Sequence, residues 1–85
     1  MLKIYRKVGS SNMNYAQRLR ELRQDRDLFQ KDIAALLNTS QSYYAQYENG
    51  HRALPIEHLI KLCEFYGVSA DYILGLPKGL KYPKE

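Results

Sequence analysis

Cysteine is almost missing from this 85-residue chain, where Cys63 stands alone. No internal disulfide can form, and too few thiols remain for a zinc finger. No apolar run approaches the roughly 20 residues that a membrane-spanning helix requires, and no signal peptide is expected. Catalytic groupings are equally scarce. There is no Ser/His/Asp constellation, no glycine-rich phosphate loop and no paired-carboxylate motif, so neither catalytic residues nor an enzymatic activity are expected. His51, His58 and Cys63 are the only soft metal ligands. His58 and Cys63 lie five residues apart, off a single helix face, so no metal site and no cofactor is expected either. These absences leave a small, reduced domain, expected in the cytoplasm and away from membranes.

What is present reads as an ordinary globular chain, with 45% hydrophobic and 26% charged residues. At this size only about 60% of the unfolded surface is buried, so good packing or oligomerisation is needed. Thirteen basic against nine acidic residues give a formal charge of +4. A basic excess suggests nucleic acid or another polyanion as partner. The distribution is uneven: residues 1–12 hold Lys3, Arg6 and Lys7 with no acid, residues 13–54 hold six basic and five acidic groups, and from Pro55 onward four of each cancel. The central region is thus nearly neutral, and charge alone does not establish nucleic-acid binding.

Residues 1–12 differ from the rest. Leu2, Ile4 and Val8 alternate loosely with basic residues before Gly9-Ser10-Ser11-Asn12, a joint-like stretch. A short strand, a basic arm able to reach a DNA groove, and an appended leader ahead of a start at Met13 are all compatible with it. From Asn14 the spacing turns helical. Tyr15, Leu19 and Leu22 share a face behind the N-cap Asn14, and Gln24 to Asp27 ends that helix. Ile33, Ala34 and Leu37 form the face of a second helix, closed at Asn38, a residue that tolerates the left-handed conformation. Ser40 caps a third helix with Tyr44 and Tyr47 inside, stopped by Glu48-Asn49-Gly50. Pro55 suits the first position of a fourth helix, with Glu57 in its first turn and Leu59, Leu62, Cys63 and Tyr66 as its stripe. Gly67 ends it. Ser69 caps a fifth, with Tyr72, Ile73 and Leu74 apolar before Gly75. Tyr15, Tyr47, Tyr66 and Tyr72 are assigned to the core, and Cys63 reads as a small hydrophobe in the fourth helix. The expected architecture is all-α, a compact arrangement of five helices over residues 13–76, with residues 77–85 as a tail.

With Tyr44 and Tyr47 facing inward, Gln41, Ser42, Tyr43, Ala45 and Gln46 face solvent. A glutamine amide donates and accepts at once, which suits bidentate reading of adenine. The segment QKDIAALLNTSQSYYAQYENG, residues 30–50, resembles the helix-turn-helix of the lambda-repressor-like, Xre/Cro family. Arg18 to Arg23 looks like the family's first helix, and Ile56 to Gly75 like its fourth and fifth, so that roughly residues 14–76 are covered. The resemblance implies sequence-specific binding of double-stranded DNA by a small transcriptional regulator, a repressor, with the third helix in the major groove. It implies base contacts from Gln41, Ser42 and Gln46, with Tyr43 next in line. It implies phosphate contacts from Gln30, Asn49, Gly50 and Arg52, with Arg18 a further candidate. Arg23 and Glu48 match a structural ion pair joining the first helix to the end of the third.

The chain departs from the family pattern in places. Phe29 stands where the family usually has Ser or Thr capping the second helix. Thr39 replaces a commoner apolar residue, Tyr43 and Tyr44 are bulkier than usual, and Leu54-Pro55 shifts the usual proline by one position. The Tyr44 hydroxyl must find a partner or reach water. A homodimer on a palindromic operator is expected, with Leu76, Leu80 and Tyr82 as candidate dimer contacts. No effector domain is expected after Tyr72 to Gly75, and control through protein level, operator competition or a protein partner is expected instead. A second reading, from another class, is a protein-interaction module that uses the fourth and fifth helices and the tail to bind a regulator or toxin.

Overall fold

Helices form where a capping side chain and an apolar stripe coincide. The computed structural model describes residues 14–81 and residue 83. The strand, arm and leader readings of residues 1–12, and the dimer contact expected of Tyr82, lie outside the described residues. Five helices follow in order: α1 Tyr15–Asp25, α2 Gln30–Leu36, α3 Gln41–Glu48, α4 Ile56–Tyr66 and α5 Ala70–Leu74. Among the described residues the fold is all-α.

Three caps act as the spacing predicts. Asn14 Oδ1 accepts from Gln17 N at 3.1 Å, Ser40 Oγ from Tyr43 N at 3.1 Å, and Ser69 Oγ from Tyr72 N at 3.1 Å. Each satisfies a backbone donor that a helix start leaves without a partner. Phe29 has no side-chain acceptor, and the start of α2 is held from the other side, where Phe29 N donates to Asp32 Oδ2 at 2.8 Å. Pro55 is the N-cap of α4 with extended backbone (ψ 151°), not its first helical residue. Lacking an N–H and fixed near this φ, proline serves equally well one position earlier. Gly67 closes α4 at φ +70°, a left-handed conformation that a residue without Cβ adopts freely.

The core gathers Leu19 and Leu22 of α1, Ile33, Ala34 and Leu37 around α2, Tyr44 and Tyr47 of α3, Leu62 and Tyr66 of α4, and Ile73 of α5. Each large side chain so buried contributes about 1.5–3 kcal/mol. Helix α3 packs on both α1 and α2, and α5 packs on α1 and α4, so α3 is backed along its length by two other helices. Arg26 ties the end of α1 to the end of α4, its Nη2 donating to the Tyr66 carbonyl at 2.8 Å.

One core assignment, that of Tyr72, needs correction. Tyr72 is 44% exposed, and Leu74 is exposed as well. Successive residues of a helix point about 100° apart, and in α5 the inward position is taken by Ile73. Tyr15 packs against the core without being fully buried, its hydroxyl accepting from Leu54 N at 3.2 Å. Cys63 is free and half-buried against the core.

Candidate nucleic-acid interface

The mounting of α3 begins at the turn that precedes it. Asn38 is left-handed (φ +58°), and Thr39 N reaches back to the Ala34 carbonyl at 2.9 Å. This closes α2 and redirects the chain within three residues, so that α3 packs back on α2, where the small Ala34 is buried. Tyr44 and Tyr47 then anchor α3 from within. Both are fully buried and meet edge to face at 6.0 Å. The Tyr47 hydroxyl reaches His58 Nδ1 at 3.1 Å, fastening α3 to α4. The Tyr44 hydroxyl does not reach water; it lies beside Glu48 without completing a hydrogen bond.

A polar clamp holds the far end of the helix. Arg23 Nε donates to Glu48 Oε2 at 2.7 Å, and its Nη2 to Glu48 Oε1 at 2.9 Å, a bidentate pair. Arg23 Nη1 also donates to the Leu28 carbonyl at 2.9 Å, joining the α1–α2 connection to the same guanidinium. Gln30 Nε2 donates to Glu48 Oε1 at 3.2 Å, so this glutamine braces α3 from the start of α2. Burial pushes the Glu48 carboxyl up, but hydrogen bonds from Arg23 and Gln30, with the Arg23 charge, outweigh that and hold it below its usual range. Glu48 is the only acid in α3 and its side chain is fully buried. The outer face of α3 therefore carries no negative charge.

That outer face is formed by Gln41, Ser42 and Tyr43, all exposed, with Ala45 and Gln46 half-buried. Following α3, the chain curls back on it. His51 N and Arg52 N both donate to the Gln46 carbonyl, at 2.9 and 3.3 Å. Gly50 makes this return possible at φ +76°. Arg52 is thereby laid along α3, its guanidinium over the Tyr43 ring at 4.4 Å from the centroid and its Nε donating to Gln46 Oε1 at 3.2 Å. The structure thus groups Gln41, Ser42, Tyr43, Gln46, Asn49, Gly50 and Arg52, with Gln30 behind them.

Arg18 does not join this group. Its guanidinium lies over the Tyr72 ring at 4.9 Å, on the side of α1 that meets α5, in a cleft lined also by Ser69 and Lys78. Arg18, expected as a further phosphate contact, thus lies apart from Asn49, Gly50 and Arg52, about 200° around α1 from the position two residues on. Arg20 takes the place on α1 nearest the site. Its Nη2 donates to the Glu48 carbonyl at 3.1 Å and to Asn49 Oδ1 at 3.3 Å, and its side chain remains 44% exposed. Sequence reasoning missed it, although its spacing three residues before Arg23 puts both arginines on one face.

Residues 19–73 match the family model described as helix-turn-helix. The chain belongs to the Xre, lambda-repressor-like helix-turn-helix family. It is similar to the uncharacterized HTH-type transcriptional regulator YobD of Bacillus subtilis, 40% identical over 62 residues that make up 73% of this chain and 55% of that protein. It is similar to the HTH-type transcriptional regulator ImmR of the same organism, 38% identical over 74% of this chain and 50% of that protein. The chain spans about half the length of these curated relatives. Among solved structures it resembles a transcriptional regulator from Listeria innocua, with a TM-score of 0.73 and 28% identity over 82% of this chain and 65% of that one. The P22 c2 repressor, solved with a synthetic operator, shares the fold at a TM-score of 0.68 and 22% identity, over 74% of this chain and 96% of that one. The helix-turn-helix proper is α2, the Asn38 turn and α3, and the matched span runs from Leu19 in α1 to Ile73 in α5. No helix among the described residues is long and apolar enough to cross a membrane.

Proposed function

We propose that this chain binds double-stranded DNA sequence-specifically as a transcriptional regulator of the repressor type. One observation carries this reading: α3 is buttressed by two helices and an internal ion pair, yet presents an outer face of neutral hydrogen-bonding side chains. A helix of this width fits the major groove of B-DNA, where base edges are distinguished by their donor and acceptor patterns. Gln41, Ser42, Tyr43 and Gln46 are the base-reading positions in this proposal. Backbone contacts come from Asn49, Gly50 and Gln30, and from Arg20 beside them, which fix the register of the helix on the duplex. The relatives named as transcriptional regulators support the same reading. A single domain of this size covers few base pairs, so a homodimer on a palindromic operator is the proposed working form, with half-sites about 34 Å apart.

In vitro selection from random duplexes at about 150 mM salt tests the proposal directly. Enrichment of one palindromic sequence by the full chain, lost on Gln41→Ala, is the expected result. Absence of enrichment from a folded protein would reject it. That outcome would favour a protein-interaction module, for which α4 offers the exposed Ile56, Ile60 and Phe65.

A further inference from the structure

The end of α3 gathers two guanidiniums and one carboxylate, Arg20, Arg23 and Glu48. Arg23 takes both oxygens of Glu48, at 2.7 and 2.9 Å, and is nearly covered, its side chain 13% exposed. Arg20 Nε stands 3.8 Å from the same carboxylate, and its side chain is 44% exposed. The three groups together keep one net positive charge, and the member that shows it to solvent is Arg20. Arg20 Nη2 is engaged within the molecule, donating to the Glu48 carbonyl at 3.1 Å and to Asn49 Oδ1 at 3.3 Å. Among the described residues, Arg20 Nη1 has no acceptor.

The contact with Asn49 also decides how that amide is turned. A guanidinium has donors only, so the amide group facing Arg20 Nη2 is the oxygen. Asn49 Nδ2, on the same amide, is left as a free donor, with no acceptor among the described residues. Asn49 is exposed. Two unfilled donors thus stand on neighbouring groups beyond the last turn of α3, one charged (Arg20 Nη1) and one neutral (Asn49 Nδ2). An anion that carries two acceptor oxygens on one atom can satisfy both. The phosphodiester of a nucleic-acid backbone is such a group, and its bonds to a guanidinium are charge-assisted.

We infer that Arg20 and Asn49 form a single phosphodiester site, in which Arg20 supplies the charge and also acts as the positioning residue for the Asn49 NH2. The inference rests on the DNA-binding reading above and goes beyond it, since it couples two residues that could otherwise act independently. A phosphate held there fixes the end of α3 against one strand through α1 as well as through α3 itself.

The test uses the full chain and the duplex that it enriches from the random pool, with affinity measured between about 50 and 200 mM salt. Arg20→Ala, Arg20→Lys, Asn49→Ala and the double alanine variant are compared, and circular dichroism checks that each is folded. Asn49 has ordinary helical backbone (φ −89°), so alanine is compatible there. Arg20→Ala should lower affinity about tenfold, the loss expected of one charge-assisted hydrogen bond. It should also reduce the slope of log affinity against log salt by about one. The enriched sequence should stay the same, because phosphate contacts carry no base information. Arg20→Lys keeps the charge and should restore the slope. Asn49→Ala should cost severalfold in the wild type and almost nothing in Arg20→Ala, where nothing turns the amide.

Additive losses in the double variant would overturn the coupling. An unchanged salt slope in Arg20→Ala, with only stability reduced, would overturn the site and leave Arg20 as a cap on the last carbonyls of α3. Failure of the folded wild type to enrich any sequence would reject the DNA-binding reading itself, a result distinct from the other two.

Discussion

The Arg23 guanidinium grips both oxygens of Glu48, at 2.7 and 2.9 Å, and the Glu48 side chain is wholly out of solvent. This pair couples the first helix to the end of the helix that carries the proposed base-reading residues. Its value lies in pairing: a carboxylate buried alone costs far more than two charges that satisfy one another. Arg23→Met should therefore cost about 3–5 kcal/mol in urea unfolding, whereas Arg23→Met with Glu48→Leu should cost clearly less. Equal losses in the single and double variants would contradict the account.

The same carboxylate makes stability depend on acid. Glu48 is held below the usual 4.5 in the folded chain, so between the folded and unfolded values the unfolded state binds more protons. Stability then rises with pH across that window. The contribution is present above pH 4.5 and is lost as the pH falls through the folded value. Urea midpoints measured from pH 3 to 7 should fall on the acid side, and Glu48→Gln should flatten that slope even though it is less stable at neutral pH.

Tyr66 offers the opposite case, a polar atom with no return on its burial. Its ring fills the core between α1 and α4, but its hydroxyl is buried without a hydrogen-bond partner among the described residues. Burial pushes its pKa up to about 12. Tyr66→Phe removes the unsatisfied oxygen and keeps the ring, so it should be neutral or stabilising by about 1 kcal/mol. A loss greater than that in thermal or urea unfolding would reveal a partner for the hydroxyl.

The turn before α3 makes its own demand. Asn38 sits at φ +58°, where Asn is tolerated and β-branched residues are strained. Asn38→Gly should retain the stability of the parent, while Asn38→Val should lose about 1–2 kcal/mol. If Val proves as stable as Gly, the left-handed turn is not what joins α2 to α3.

Much of this molecule is legible without coordinates. The caps at Asn14, Ser40 and Ser69, the left-handed stops at Asn38 and Gly67, and the stripes Leu19–Leu22 and Leu62–Tyr66 are all set by interactions within four residues along the chain. Signals of that range are written in the order of the residues, and the resemblance to a known family adds their arrangement. Side-chain destinations across the core are another matter. Tyr72 and Ile73 are both apolar enough to be buried, and only the packing of α5 on α1 and α4 decides that Ile73 goes in and Tyr72 stays out beneath Arg18. Arg18 and Arg20 are equally basic and two residues apart, yet the docking of α3 gives Arg20 to Asn49 and leaves Arg18 with α5. The bond from Arg52 to Gln46 depends on the chain returning over α3 at Gly50. The sequence by itself determined the helices and their ends, because those are local. Tertiary structure alone decided which of several chemically similar side chains meets which partner, because that depends on residues distant in the chain competing for one space.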